Sequence, residues 1–265
     1  MDRPLTHRPA PSRMKYLSLS TWLILLVVIF NQATPVQSQV CRTRADVVFL
    51  LDASGSISMA ETDFNWRTVL GFVEGIVNDL PIDTGDMRVA LVRFSQEADV
   101  MWNLARYNNR NDLVRAIRSL TSVGERTNIA SAFEAARNQI LVPFGGDRDG
   151  VPNIVFLITD GQPTVRETET VQQANLLKSI ATLVTVGITT EVSLRDLLQR
   201  LASNSQLAYF SNVYSQLTAL SSNVLQESCR QQIGPVPSPP PGPAQGFPVS
   251  QVQVVHLYRE LKCFV

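Results

Sequence analysis

The chain has 265 residues and no net charge, because 23 lysines and arginines balance 23 aspartates and glutamates. Hydrophobic residues make up 45% and charged residues 17% of the sequence, which is too apolar for a disordered chain and too poor in charge for a coiled coil. The sequence has no basic excess to neutralise phosphates, so the composition also argues against a nucleic-acid-binding protein. The length is that of one or two domains.

Residues 1–38 have the layout of a secretory signal peptide. A basic segment precedes a short apolar run from Trp22 to Phe30, and small residues come before Gln39. A membrane anchor is the alternative, but this run would be only about 14 Å long as a helix, whereas a span needs roughly 20 residues. We therefore expect cleavage after residue 38 and a secreted, extracellular protein.

Secretion decides how the three cysteines are interpreted. In an oxidising compartment Cys41, Cys229 and Cys263 are disulfide candidates rather than metal ligands. Three cysteines are too few to hold a disulfide-stapled fold together. The folded part must therefore depend on an ordinary apolar core, with at most one bridge within the chain.

After a short segment at 39–45, the region 46–228 alternates short apolar runs with longer amphipathic stretches. Three residues separate the second and third apolar runs, which predicts a hairpin and hence one antiparallel pair. The alternation predicts an α/β fold, with a mostly parallel sheet covered by helices on both faces. We expect strands at 46–52, 87–94, 98–104, 153–159, 182–188 and 207–211, and helices at 60–80, 111–120, 128–141, 168–180, 193–203 and 214–228.

The composition changes after the last predicted helix. Seven of the 15 prolines lie within residues 234–248, so we expect 229–248 to be an extended, Pro-rich linker. Residues 249–265 form a tail that is too short for a core of its own.

Oxygen-bearing side chains are concentrated in three loops at the ends of these elements. Ligands of open α/β folds bind beyond the carboxyl ends of the strands, so the three loops should share one edge of the sheet. Two carboxylates and three hydroxyls, with no imidazole or thiolate, suit Mg²⁺ or Mn²⁺, and Ca²⁺ less tightly. The alternative is that these residues are helix caps and turn formers. The candidate metal ligands are Asp52, Ser54 and Ser56 after the first strand, Thr127 before a helix, and Asp160 after the strand at 153–159.

Two segments carry a family resemblance. Residues 46–57, DVVFLLDASGSI, resemble the start of a von Willebrand factor type A domain, and residues 158–163, ITDGQP, are similar to its second metal loop. The resemblance covers about residues 44–228. It implies a Rossmann-like, doubly wound, six-stranded sheet with one antiparallel edge strand and a metal-ion-dependent adhesion site. It also implies that Ser54, Ser56 and Thr127 contact Mg²⁺ through their hydroxyls, whereas Asp52 and Asp160 act mostly through water.

The resemblance has further consequences for individual residues. It implies that Cys41 pairs with Cys229, which leaves Cys263 unpaired, either as a cross-link to another chain or as a free thiol. Many relatives have a second threonine and a glycine where this chain has Ile129 and Ala130. Alanine is a good helix former, so we expect a tighter helix start after Thr127 rather than a lost site.

The resemblance implies a secreted adhesion protein of the extracellular matrix, similar in layout to matrilins and collagen-associated A domains. It would bind an acidic side chain of a collagen-like or other partner protein through its metal ion. The alternative is a structural matrix component, for example of a mineralised tissue, with a weak or vestigial metal site. We expect no enzyme: a phosphatase using Asp52 as nucleophile needs a second aspartate where Ser54 stands, and the only histidines are His7 and His256.

Overall fold

The structure is a computed structural model that describes residues 44–58 and 63–232. The signal peptide predicted at 1–38, residues 39–43 of the segment 39–45, residues 233–248 of the predicted linker and the tail 249–265 lie outside the described residues. The linker was predicted to begin at 229, but residues 229–232 still belong to the last helix. Within the described ranges, no helix has the length and apolar character needed to cross a membrane.

Six strands form one sheet in the spatial order β3-β2-β1-β4-β5-β6. Neighbouring strands pair in parallel except β2 and β3, which pair antiparallel, so β3 is an antiparallel edge strand. The predicted fold class is therefore confirmed. The strands are β1 (Ala45–Asp52), β2 (Met87–Phe94), β3 (Ala98–Trp102), β4 (Asn153–Thr159), β5 (Thr182–Ile188) and β6 (Ala208–Ser211).

Seven α-helices occur in the described part of the chain, together with three 3₁₀ segments. A π-helical turn at Ala136–Ile140 continues the fourth helix. The α-helices are α1 (Gly55–Ser58), α2 (Phe64–Asn78), α3 (Arg110–Arg118), α4 (Ile129–Ala135), α5 (Glu167–Lys178), α6 (Val192–Leu201) and α7 (Ser221–Gln232), and the 3₁₀ segments are Pro143–Gly145, Ser205–Leu207 and Tyr214–Leu220.

The last predicted helix was wrong in detail. The helix predicted at 214–228 begins as a 3₁₀ segment and becomes α-helical only at Ser221. This segment packs closely on two glycines of α2, since a Cβ at Gly75 would lie 2.9 Å from the Ser221 hydroxyl. Such close packing is a tertiary constraint that apolar periodicity does not report.

The sheet has an apolar layer on each face, and β1 contributes to both. Val47, Phe49 and Leu51 pack towards α2, α3 and α7, whereas Val48 and Leu50 pack towards α4, α5 and α6. All eight residues of β1 are buried, which explains why this strand reads as a continuous apolar run. The chain leaves β1 towards β2 on one side and later returns to pair β4 on its other side. The switch point of the sheet, where ligands of such folds bind, therefore lies between β1 and β4.

Candidate metal-binding site

The carboxyl ends of β1 and β4 bring two of the predicted loops side by side. The two strands are parallel neighbours, with Leu51 opposite Ile158 at the end of the ladder. β1 ends at Asp52 and β4 ends at Thr159, so Asp160 is the first residue beyond β4. The register therefore places the two predicted carboxylates at the same edge of the sheet, beside the switch point.

Ser56 and Asp160 make the direct contact between these loops. The Ser56 hydroxyl donates to Asp160 Oδ1 at 2.5 Å, and Ser54 Oγ lies 3.3 Å from Ser56 Oγ. Asp52 and Ser54 are buried, whereas Ser56 is exposed. The cluster consequently extends from the end of the sheet to the solvent.

Thr127 approaches the same place from the loop before α4. A Cβ atom placed on Gly161 would lie 3.7 Å from Ser56 Oγ and 3.8 Å from Thr127 Oγ1, so both hydroxyls face this glycine. The loop after β1 and the loop before α4 are also joined directly, because the Gly55 amide donates to the Glu125 carbonyl at 2.8 Å. The five residues singled out from the sequence thus lie in one cluster.

Asp52 is the most strongly perturbed member of the cluster. Its Oδ1 accepts from the Ser54 amide at 2.9 Å, and its Oδ2 accepts from the Thr159 hydroxyl at 2.5 Å. Burial raises the pKa of Asp52 to about 6; the hydrogen bonds from Ser54 and Thr159 oppose this rise, and the nearby charge of Asp160 adds to it. A buried carboxylate whose pKa is raised in this way is stabilised as an anion by a cation beside it.

The donor set fits a hard divalent cation. Among the described residues, no group of three or more histidine, cysteine, aspartate and glutamate side chains could hold a metal ion. The candidate site instead combines two carboxylates with three hydroxyl oxygens, and oxygen ligands of this kind suit Mg²⁺, Mn²⁺ or Ca²⁺. The ion would be held beside Gly161, where the hydroxyls of Ser56 and Thr127 both lie within 4 Å of the position of a Cβ atom.

Three contacts around the cluster were not predicted from the sequence. Tyr214 donates its hydroxyl to Asp160 Oδ2 at 2.5 Å, and burial together with the Asp160 charge raises the tyrosine pKa, so the hydroxyl remains a donor. Thr159 binds Asp52, and Thr164 accepts from the Thr127 amide at 3.0 Å through its hydroxyl. Tyr214 is 54 residues from Asp160 in sequence, and no local pattern marks it.

Helix α4 begins at Ile129, with Asn128 between it and Thr127. The Asn128 side chain caps it by accepting from the Ser131 amide at 3.0 Å, while its Nδ2 donates to the Gln96 carbonyl at 3.0 Å. Ile129 and Ala130, the two positions at which the chain departs from the pattern expected from the family resemblance, are fully buried. The replacement therefore occurs in the core beneath the site, and the Thr127 hydroxyl keeps its place beside Gly161.

Cys229 is buried on α7 and takes part in a disulfide bond. Cys41 and Cys263 lie outside the described residues. The pairing of Cys41 with Cys229 and the unpaired state of Cys263 therefore stay predictions.

Matrix proteins are among the relatives with similar sequences. The chain is 31% identical to the mouse collagen alpha-4(VI) chain over 75% of its own length and 8% of the collagen chain. It is 27% identical to mouse matrilin-4 over 58% of its own length and 25% of matrilin-4. The chain thus spans a quarter or less of the length of these relatives. They are secreted proteins of the extracellular matrix, which confirms the predicted location.

Solved structures from a mussel share the fold. Proximal thread matrix protein 1 from the mussel byssus superimposes with a TM-score of 0.66 at 23% identity, covering 71% of this chain and 48% of that chain. A structure of the same protein with a zinc-occupied MIDAS motif gives a TM-score of 0.64 at 25% identity, covering 71% of this chain and 46% of that one.

The sequence model of the von Willebrand factor type A domain, abbreviated VWA, matches residues 46–223, which is more than half of the chain. The matched range includes every residue of the candidate site and all six strands apart from Ala45, the first residue of β1. The chain therefore belongs to the von Willebrand factor type A domain family.

Proposed function

We propose that this protein is an adhesion protein of the extracellular matrix whose VWA domain binds an acidic side chain of a partner protein through a divalent cation. The residues that would hold the cation are Asp52, Ser54, Ser56, Thr127 and Asp160. A bound Mg²⁺, Mn²⁺ or Ca²⁺ would supply a positive coordination position for a carboxylate from outside the domain.

The observation that carries this proposal is the meeting of the Ser56 hydroxyl with the Asp160 carboxylate at a solvent-exposed edge. Two carboxylates neutralise a divalent ion at most, and the three hydroxyls are neutral ligands. An ion held in this way keeps its attraction for an anion. Because Ser56 is exposed, a partner side chain can reach this end of the cluster.

The relatives support the class of function. The zinc-occupied motif in the mussel protein supports a divalent ion at this place in the fold. We propose Mg²⁺, Mn²⁺ or Ca²⁺ rather than zinc because all five proposed ligands bind through oxygen. Matrilin-4 and the collagen VI chain are matrix proteins, which supports a collagen-like or other matrix partner. We infer a binding protein rather than an enzyme, because the only histidines in the sequence, His7 and His256, lie outside the matched domain.

Replacing Ser56 by alanine tests the proposal, because this exposed hydroxyl can be removed without opening the core. We expect the chain to be retained on immobilised collagens and other matrix proteins with Mg²⁺ and released by EDTA. In Ser56→Ala the retention should fall by about tenfold or more, since loss of even an outer-shell group typically costs 10–100-fold in metal affinity. Ser179→Ala is the matched control, because Ser179 is exposed at the end of α5 and its hydroxyl donates to the Leu176 carbonyl, away from the metal loops.

Retention that is equally strong in EDTA and in Ser56→Ala would contradict the proposal. That result would favour the alternative, a structural matrix component with a vestigial metal site. A covalent oligomer formed through Cys263 would appear as a higher-mass species on non-reducing gels, and it is independent of the metal.

A further inference from the structure

We infer that the ion pair between Arg166 and Glu134 sets the position of the Thr127 hydroxyl, which makes both of them positioning residues of the metal site. The inference rests on the proposed function, since it assigns a role at that site. Neither residue belongs to the five proposed ligands.

Arg166 has an unusual backbone conformation. With φ of 50° and ψ of 37° it lies in the left-handed region, and it is the only non-glycine residue of the described part with a positive φ. An L-residue with a long side chain adopts this conformation only where the surrounding contacts hold it. We therefore expect the Arg166 side chain to make specific contacts that stabilise this backbone conformation.

The Arg166 side chain provides those contacts. Its guanidinium binds Glu134 of α4 through two parallel hydrogen bonds of 2.7 and 2.8 Å. It also binds Glu169 of α5 at 3.1 Å through Nε and at 2.5 Å through Nη2. Paired hydrogen bonds of this kind fix direction as well as distance, so Arg166 holds the loop 160–166 against α4 at a defined angle.

The same loop holds the backbone of Thr127. The Thr164 and Val165 amides donate to the Thr127 carbonyl at 2.8 and 3.1 Å, and the Thr127 amide donates to the Thr164 hydroxyl at 3.0 Å. The guanidinium of Arg126 also donates to the Thr164 carbonyl. Both the amide and the carbonyl of Thr127 are therefore hydrogen-bonded to Thr164 and Val165, the residues that directly precede Arg166.

These contacts form a closed ring. From Thr127 the chain enters α4 and reaches Glu134, Glu134 binds Arg166, and the residue before Arg166 returns to Thr127. Asp160 and Gly161 stand at the start of the same loop, facing Ser56 and Thr127. Because metal ligands must be held in place before binding, a ring that fixes the Thr127 hydroxyl relative to Asp160 prepares the site.

Arg166→Gln in the full chain is the central test, and Arg118→Gln is its matched control. Arg118 binds Glu74 through two hydrogen bonds between α3 and α2, and neither helix carries any of the five proposed ligands. We expect Arg166→Gln to weaken Mg²⁺ binding in calorimetry by about tenfold or more, as losses of supporting groups around metal sites do. Without metal, it should also speed hydrogen exchange at the Thr127 amide. Arg118→Gln should change neither quantity.

Glu134→Gln provides a second route, because it removes the charge with little change in shape and leaves the backbone of Arg166 untouched. It should reproduce both effects of Arg166→Gln, and the double variant should lose no more than either single variant, since the two residues act as a pair. Unchanged Mg²⁺ affinity in Arg166→Gln and Glu134→Gln would overturn the inference. If the wild-type chain bound no Mg²⁺, the proposed function would fail. In that case hydrogen exchange still tests the positioning role. Unchanged exchange at the Thr127 amide in Arg166→Gln and Glu134→Gln would overturn it, and faster exchange in these two variants would support it.

Discussion

At the scale of single residues, Gly161 matters because of the side chain it lacks. A Cβ at this position would touch Ser56 Oγ at 3.7 Å and Thr127 Oγ1 at 3.8 Å, which are ordinary contact distances. The glycine does not have a positive φ, so alanine can adopt its backbone conformation. The added methyl group would therefore fit the folded protein and occupy the space between two proposed ligand hydroxyls.

We predict that Gly161→Ala separates stability from metal binding. In EDTA its free energy of unfolding should equal or exceed that of the wild type by about 0.4–1 kcal/mol, because alanine restricts the unfolded chain. Its Mg²⁺ affinity should fall by about tenfold, a loss comparable to other perturbations around metal sites. Thermal unfolding in EDTA and calorimetric titration with Mg²⁺ measure the two quantities. A variant that binds Mg²⁺ as tightly as the wild type would show that the Ser56 and Thr127 hydroxyls do not share a cation.

The sequence pattern located the five candidate ligands because each stands at the end of a predicted element. It did not locate Thr159 or Tyr214, nor the hydrogen bond from the Thr127 amide to the Thr164 hydroxyl, because these depend on tertiary contacts. Tyr214, for example, reaches Asp160 only because β6 lies at the far side of β5, which places the segment after it at the same edge of the sheet. Hydroxyl-bearing residues of this kind are common in any sequence, so their types alone carry no signal.

At the scale of secondary-structure elements, Arg148 fastens the edge of the sheet opposite the metal loops. Its guanidinium binds Asp46 Oδ1 at 2.9 Å through Nε and the carbonyls of Gly85, Ala45 and Asp86, each at 2.9 Å. The Asp46 side chain is fully buried, and that of Arg148 is 11% exposed. One side chain thus joins the start of β1, the turn before β2 and the loop before β4.

We predict that Arg148→Met lowers the free energy of unfolding by about 3–5 kcal/mol, since it leaves the Asp46 carboxylate buried without its partner. Urea unfolding measures the change. Arg115→Met is the control: it removes an exposed ion pair with Asp112 on α3 and should cost less than about 0.5 kcal/mol. The double variant Asp46→Asn, Arg148→Met should recover part of the loss, because the buried charge is gone. A loss below about 1 kcal/mol in Arg148→Met would show that the ion pair is not needed to hold these elements together.

Elements that are buried on both faces were the easiest to predict. β4 and β5 have the bounds expected from the sequence, 153–159 and 182–188, because an apolar run ends where a central strand leaves the core. The edge strand β3 was predicted to reach residue 104 but ends at Trp102. The Leu104 amide turns away from the sheet to donate to the Gly145 carbonyl at 3.0 Å, a contact with a loop that is distant in sequence. Local patterns cannot report such contacts.

At the scale of the whole molecule, folding, acidity and metal binding are linked through Asp52. Burial raises its pKa from 3.8 to about 6 in the metal-free fold. Between pH 3.8 and about pH 6 Asp52 is protonated in the folded chain and charged in the unfolded chain. The contribution of Asp52 to the free energy of unfolding is therefore lost as the pH rises through about 6. At about 1.36 kcal/mol per pKa unit the loss by pH 7 is about 3 kcal/mol. Glu134 and Glu169 have the opposite sign, because hydrogen bonds from Arg166 lower their pKa, and their contribution is lost only as the pH falls into the acidic range.

We predict that Mg²⁺ reverses this dependence. A cation beside Asp52 stabilises the charged carboxylate, so below about pH 6 protons compete with the metal and Mg²⁺ affinity should fall by up to about tenfold per pH unit. In thermal unfolding, the rise in Tm caused by Mg²⁺ should be large near pH 7 and small near pH 5, whereas in EDTA the Tm should decrease between about pH 5 and pH 7. Asp52→Asn is the control, because the amide does not titrate: its Tm in EDTA should change less over this range, and Mg²⁺ should raise it little at either pH. An equal Mg²⁺-induced rise at both pH values in the wild type would mean that the Asp52 carboxylate does not face the bound ion, and the proposed ligand set would then lose its only fully buried charge.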